Sequence, residues 1–161
     1  MPLRTRSYYT FLDSTLSPTA IVNCAQQHGL PAIALTDLGN LHGAVEFAQA
    51  AQRSGIKPVF GTELRIGEHP LLLYVESARG YHQLNRLLSR WAESAVHDGE
   101  EGAVAAQQRR PISRERLDGC TEGLIAVSSD LRLAQQFPGR FYQLATKQAA
   151  TSRFGVVACG K

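Results

Sequence analysis

The chain has 161 residues, 43% hydrophobic and 19% charged, which leaves room for one sizeable core and excludes a disordered or collagen-like polymer. Seventeen basic against 14 acidic residues give a net charge of +3, too mild a balance to imply nucleic acid by itself. The longest apolar runs, Ala32–Leu35 and Pro70–Val75, are far too short for a bilayer span.

A first candidate strand at the amino terminus precedes Arg4 and Arg6. A helix follows with clear punctuation: Ser17 can cap it, Pro18 suits its first position, and Gly29 follows its last turn. Pro31–Thr36 reads as a strand buried on both faces. Gly43–Ser54 reads as a helix with Val45, Ala48 and Ala51–Gln52 on successive turns, stopped by Gly55. Lys57–Arg65 is the next strand, so strand, helix and strand form a βαβ unit with parallel pairing. Pro70–Glu76 is another strand, and Tyr81–Ser94 a helix with Leu84, Leu87, Leu88 and Trp91 on one face.

Residues 95–112, with Asp98, Glu100 and Glu101 followed by Arg109 and Arg110, read as a surface loop inside the domain. Then come one helical turn (Ser113–Leu117), a strand (Gly123–Ser128), a short helix (Leu131–Phe137) and two strands, Arg140–Thr146 and Phe154–Cys159. The expected class is α/β, one domain over residues 1–161, with six or seven mostly parallel strands. A closed barrel of eight βα units typically needs about 250 residues, so an incomplete barrel, or one piece of a longer parent, is expected.

Cys24, Cys120 and Cys159 form no CxxC pair, so neither a zinc knuckle nor a disulfide framework is indicated. Met1–Phe11 lacks an apolar signal core, and a cytoplasmic location without membrane contact is expected. Arg4, Arg6, Arg109, Arg110, Arg114 and Arg116 read first as a solvated arginine-rich face and second as a nucleic-acid contact.

In parallel α/β folds the reactive groups gather at the carboxyl ends of strands. Those positions hold Arg4, Arg6 and Asp13, then Asp37, Asn40 and His42, then Glu63. Two readings stand on spacing. Three carboxylates and a histidine converging on one face can hold a divalent cation. Alternatively Asp13 and Asp37 are turn or cap residues and Glu63 solvates a strand end.

Residues Ala32–Leu64, AIALTDLGNLHGAVEFAQAAQRSGIKPVFGTEL, resemble the amino-terminal PHP (polymerase and histidinol phosphatase) domain of bacterial DNA polymerase III alpha subunits. LDSTLSP at Leu12–Pro18, ARGYHQLNRLLSR at Ala78–Arg90 and EGLIAVS at Glu122–Ser128 resemble further segments of that domain. The resemblance implies a PHP-type distorted (βα) barrel. It also exposes departures. The family's L-H-x-H-S motif is here Leu3-Arg4-Thr5-Arg6-Ser7, so two histidine ligands are arginine. Its TDH motif is Thr36-Asp37-Leu38, so a third ligand is leucine. Asp13 and Glu63 match carboxylate ligands, and His42 matches a position that is sometimes histidine. The family's late ligands have no counterpart near Cys159.

A guanidinium has five donors, no acceptor and a permanent charge. Arg4 and Arg6 are therefore expected to replace a metal cluster by ion pairs to Asp13 and Glu63. Their forks also suit phosphate oxygens. The resemblance implies a place in a polymerase III alpha-type protein of DNA replication, and the departures make the expected domain non-catalytic and without a cofactor, structural or protein-docking in role. Its implied partners are the remainder of the polymerase or a proofreading exonuclease. One alternative is a phosphoesterase, a 3′–5′ exonuclease or pyrophosphatase, using zinc or manganese on Asp13, His42 and Glu63, with Asp37 or His82 assisting. The other is a free-standing binding module.

Overall fold

The computed structural model describes residues 1–97, 110–145 and 155–158. The acidic run Asp98–Glu101 of the expected loop, Arg109, Thr146 and Cys159–Lys161 lie outside the described residues.

Helix α1 (Pro18–Gln27) begins where Ser17 Oγ accepts the Ala20 amide at 3.0 Å, which satisfies one otherwise orphaned N–H of the first turn. Strand β1 (Ala32–Leu38) follows and is buried along nearly its whole length. Helix α2 (Ala44–Ser54) closes on Gly55 at φ 66°, a left-handed stop that favours glycine. It leads into β2 (Lys57–Ile66), parallel to β1 from Ala32↔Lys57 to Leu38↔Glu63.

The α2 face differs from the expected one: Ala44, Phe47, Ala50 and Ala51 are buried while Val45 stands 69% exposed. Both sets have helical spacing. Phe47 decides between them, because its ring finds an edge-on partner in Phe60 of β2 at 5.7 Å.

Strand β3 (His69–Val75) returns antiparallel to β2 through a turn at Gly67. Helix α3 (Ala78–His97) is longer than expected at both ends and takes in residues 95–97 of the expected loop. That loop's far end is tied to β2, where the Ile112 amide donates to the Arg65 carbonyl at 2.7 Å. Two short 3₁₀ turns, Arg114–Leu117 and Leu131–Gln135, stand where helices were expected, around β4 (Leu124–Ser128). Strands β5 (Phe141–Ala145) and β6 (Gly155–Ala158) complete a six-stranded sheet of order β1-β2-β3-β4-β5-β6.

Parallel pairing holds at β1–β2 and β4–β5, whereas β2–β3, β3–β4 and β5–β6 are antiparallel. The sheet is therefore mixed. Its parallel run is interrupted because the short Gly67 turn leaves no crossover helix between β2 and β3. The amino-terminal candidate strand is not a regular strand. It runs beside β1, with the Ala34 and Thr36 amides donating to Pro2 and Thr5 carbonyls at 3.2 and 2.8 Å.

Side-chain alternation divides the sheet into two faces. One face meets the helices: Ile33 and Leu35 pack with Ile21, Val22 and Phe47, and Leu64, Leu71 and Leu73 pack with Leu84, Leu87 and Trp91 of α3. Each fully buried leucine contributes about 2 kcal/mol. The other face carries Ala34, Leu72, Tyr74, Val127 and Leu144, with Leu3 of the amino-terminal segment laid against them. Glu63 lies on that second face, in register with Leu38 on β1 and Leu72 on β3.

Two glycines join α3 to the sheet. A Cβ on Gly80 would fall 1.8 Å from the Gly123 carbonyl oxygen, and one on Gly123 2.3 Å from Ser77 Oγ. The glycines of the two downstream motifs thus mark a close backbone approach rather than a ligand loop.

Candidate functional site

Glu63 sits at the carboxyl end of the parallel pair, with its side chain 4% exposed. Both of its oxygens are taken by arginine. Arg4 is bidentate, Nε donating to Oε2 at 2.7 Å and Nη2 to Oε1 at 2.6 Å, and Arg6 Nη2 lies 2.8 Å from Oε2. Arg6 also bridges to Asp13 through Nη1. The result is a chain of charges, Arg4–Glu63–Arg6–Asp13, anchored by one buried carboxylate. Burial opposes the charge on Arg6, but its hydrogen bonds to Glu63 and Asp13 outweigh it and hold the guanidinium above its ordinary range. The Tyr74 phenol, raised by burial and then by the negative charge of Glu63, stays protonated and donates to the Leu3 carbonyl at 2.7 Å.

Arg4, Arg6, Asp13 and Glu63 line an open pocket of about 430 Å³ together with Leu38, Arg65, Glu68 and Pro70. Arg65 and Glu68 went unnoticed in the sequence. They meet across the β2–β3 turn at 3.2 Å, and an i,i+3 pair of opposite charge around Gly67 was the available signal.

Of the two readings that spacing left open, the convergence of three carboxylates and a histidine is not what the described residues show. Asp37 points to the other side of β1 from Leu38 and is 1% exposed. Its carboxylate accepts the Ser7 amide at 2.6 Å, Ser7 Oγ at 2.7 Å and Thr10 Oγ1 at 2.9 Å. It anchors the amino-terminal loop, with Thr10 in turn accepting the Leu38 amide at 3.0 Å. Ser7 and Thr10 are positioning residues that spacing did not single out, because small hydroxyls give no periodic signal.

His42 stands apart from Asp13 and Glu63. Its amide is held by Asn40 Oδ1 at 3.0 Å, and it opens on a second cleft with Tyr81, Asn85 and Leu88 of α3. His82 is exposed on α3. Among the described residues no group of three or more His, Cys, Asp or Glu side chains is placed to hold a metal ion.

A metal, which the family resemblance implies, is not matched by this donor set. Leu38 has no donor atom. Arg4 and Arg6 have no lone pair to give, and their positive charges repel a cation. Both Glu63 oxygens and one Asp13 oxygen are already hydrogen-bonded to guanidinium.

The sequence pattern of the PHP domain family matches residues 2–151, and the chain belongs to that family. The error-prone DNA polymerase of Symbiobacterium thermophilum is 35% identical over 87% of this chain and 16% of its own length. The DNA polymerase III subunit alpha of Chlamydia trachomatis is 35% identical over 81% of this chain and 11% of its own. That of Mycoplasma genitalium is 42% identical over 53% and 10%. The chain therefore spans about a sixth or less of these polymerases. Among solved structures, a protein of Bifidobacterium adolescentis provisionally assigned as a metal-dependent phosphoesterase superposes with a TM-score of 0.50 at 17% identity. That match covers 70% of this chain and 40% of the other, and shows the shared fold. Among the described residues no helix is long and apolar enough to cross a membrane.

Proposed function

We propose that this chain is a non-catalytic PHP domain with a structural or protein-docking role in a DNA polymerase III alpha-type protein of DNA replication. The observation that carries the reading is the Arg4–Glu63–Arg6–Asp13 chain. It puts two permanent cations at the positions where metal-binding members of the family carry histidine. Ion pairing then supplies the charge balance that a metal would otherwise supply, and the fold survives without hydrolytic chemistry. The polymerase names of the relatives support the setting, and the fraction of those proteins covered supports one domain of a larger assembly. The remaining polymerase domains or a proofreading exonuclease are the partners this reading calls for.

Metal loading tests it. After incubation with manganese or zinc and desalting, the chain is expected to retain less than about a tenth of an equivalent, because the remaining ligands are too few for a stable site. The Arg4→His/Arg6→His/Leu38→His variant is expected to retain metal, since it restores three imidazoles beside Asp13 and Glu63. One or more equivalents on the unaltered chain, with hydrolysis of a phosphodiester, would overturn the reading in favour of a phosphoesterase.

A further inference from the structure

On the far side of the molecule α3 carries a second arginine cluster, independent of the reading just proposed. Arg79, Arg86 and Arg90 are spaced by seven and four residues, which places them along one side of the helix over about 16 Å. Arg116, in the Arg114–Leu117 turn, is drawn beside them because its Nη1 donates to the Arg90 carbonyl at 2.9 Å. Arg86 and Arg90 converge on Cys120 Sγ at 3.6 and 3.9 Å, and a thiol is a weak acceptor that leaves most of their donors unused. Among the described residues no carboxylate lies within 4.0 Å of Arg86, Arg90 or Arg116. Arg79 pairs with Glu122 at 2.8 Å, but both side chains are more than half exposed, so that pair is weak and readily exchanged. The only acid on α3 is Glu93.

From this arrangement we infer that Arg79, Arg86, Arg90 and Arg116 form a contact for the phosphate backbone of a nucleic acid. Guanidinium forks match phosphate oxygens, and their placement along a helix suits successive phosphates better than one compact anion. The alternative, an acidic protein, is disfavoured by what the stripe lacks. Protein interfaces centre on buried aromatic or aliphatic anchors. Among the described side chains of α3 the exposed large apolar one is Tyr81, and it lies on the other side of the helix, on the cleft with His42, Asn85 and Leu88.

Fluorescence anisotropy of the full chain with a labelled oligonucleotide of about 20 nucleotides, single-stranded or duplex, tests the inference. Contact with three to four phosphates predicts an affinity that falls about 50-fold between 50 and 200 mM salt on duplex, with a log–log slope of about −3. Arg86→Ala/Arg90→Ala is expected to weaken binding at 50 mM salt about 10-fold or more and to flatten the slope by about two. Arg86→Lys/Arg90→Lys, which keeps the charge, should retain most of the affinity and guards against a folding defect. Arg53→Ala, which removes an exposed cation of α2, should leave binding unchanged. Three results would overturn the inference: no salt-dependent binding, an Arg53→Ala loss as large as that of the α3 variant, or displacement by polyglutamate as effective as by unlabelled oligonucleotide.

Discussion

Glu63 is held by two guanidinium groups at once, and its 4% exposure makes that arrangement consequential. A buried ion pair adds little net stability over an apolar replacement, but a buried charge deprived of its partners is costly. Removing either arginine alone leaves the other on the carboxylate. Removing both, in Arg4→Ala/Arg6→Ala, is expected to cost about 3–5 kcal/mol, read as a lower urea midpoint. Adding Glu63→Leu to that variant should recover much of the loss, since the surrounding face already holds Ala34, Leu72 and Val127. The pairing was legible because Arg4 and Arg6 bring two permanent positive charges to the same candidate site as the acids Asp13 and Glu63. The role of Asp37 was not. A carboxylate bound by Ser7 and Thr10 and one facing a pocket look the same in sequence. Only the alternation of β1 against the loop separates them.

At the scale of elements, contact depends on what a residue lacks as much as on what it presents. Gly80→Ala puts a methyl group 1.8 Å from the Gly123 carbonyl, so α3 must lift from β4. The expected loss is about 3 kcal/mol, at the upper end of overpacking costs, measured as a drop in Tm. The Leu131–Gln135 turn offers a test by pH. Asp130 accepts Arg132 Nε at 2.8 Å, Nη2 at 3.0 Å and the Arg132 amide at 3.1 Å. The side-chain hydrogen bonds of Arg132 come first in holding this carboxyl below its ordinary range, and they outweigh burial, which acts against them. A carboxyl with a lower pKa when folded stabilises above the unfolded value of about 3.9, and that contribution is lost as pH falls through the folded value. The Tm difference between the unaltered chain and Asp130→Asn should therefore be constant from about pH 5 to 7 and shrink below about pH 4.

Over the whole molecule, the amino-terminal segment does the work that a further layer would do for the sheet. Leu3 covers the face opposite the helices, Tyr74 donates to the Leu3 carbonyl, Pro2 and Thr5 accept from β1, and Arg4 and Arg6 neutralise Glu63. Deleting residues 1–7 removes all of these together. The expected outcome is loss of a cooperative thermal transition, because the combined cost approaches the roughly 5–15 kcal/mol that stabilises an ordinary domain. A truncated chain that melts cooperatively within a few degrees of the intact one would refute this.

The sequence by itself determined the α/β class, the order of elements from α1 to β3 and the resemblance to PHP domains. These follow from short-range periodicity, capping residues and motif order, which are properties of neighbouring positions. It also pointed to the ion pairing of Arg4 and Arg6 with Asp13 and Glu63. The mixed pairing of the sheet, the face that α2 buries, the separation of His42 from Glu63 and the anchoring of the loop on Asp37 were decided only by tertiary structure. Strand direction depends on whether a connection leaves room for a crossover, as at Gly67. A side chain's role depends on which face of a strand it occupies and on what distant segment meets it there, and neither is encoded in local spacing.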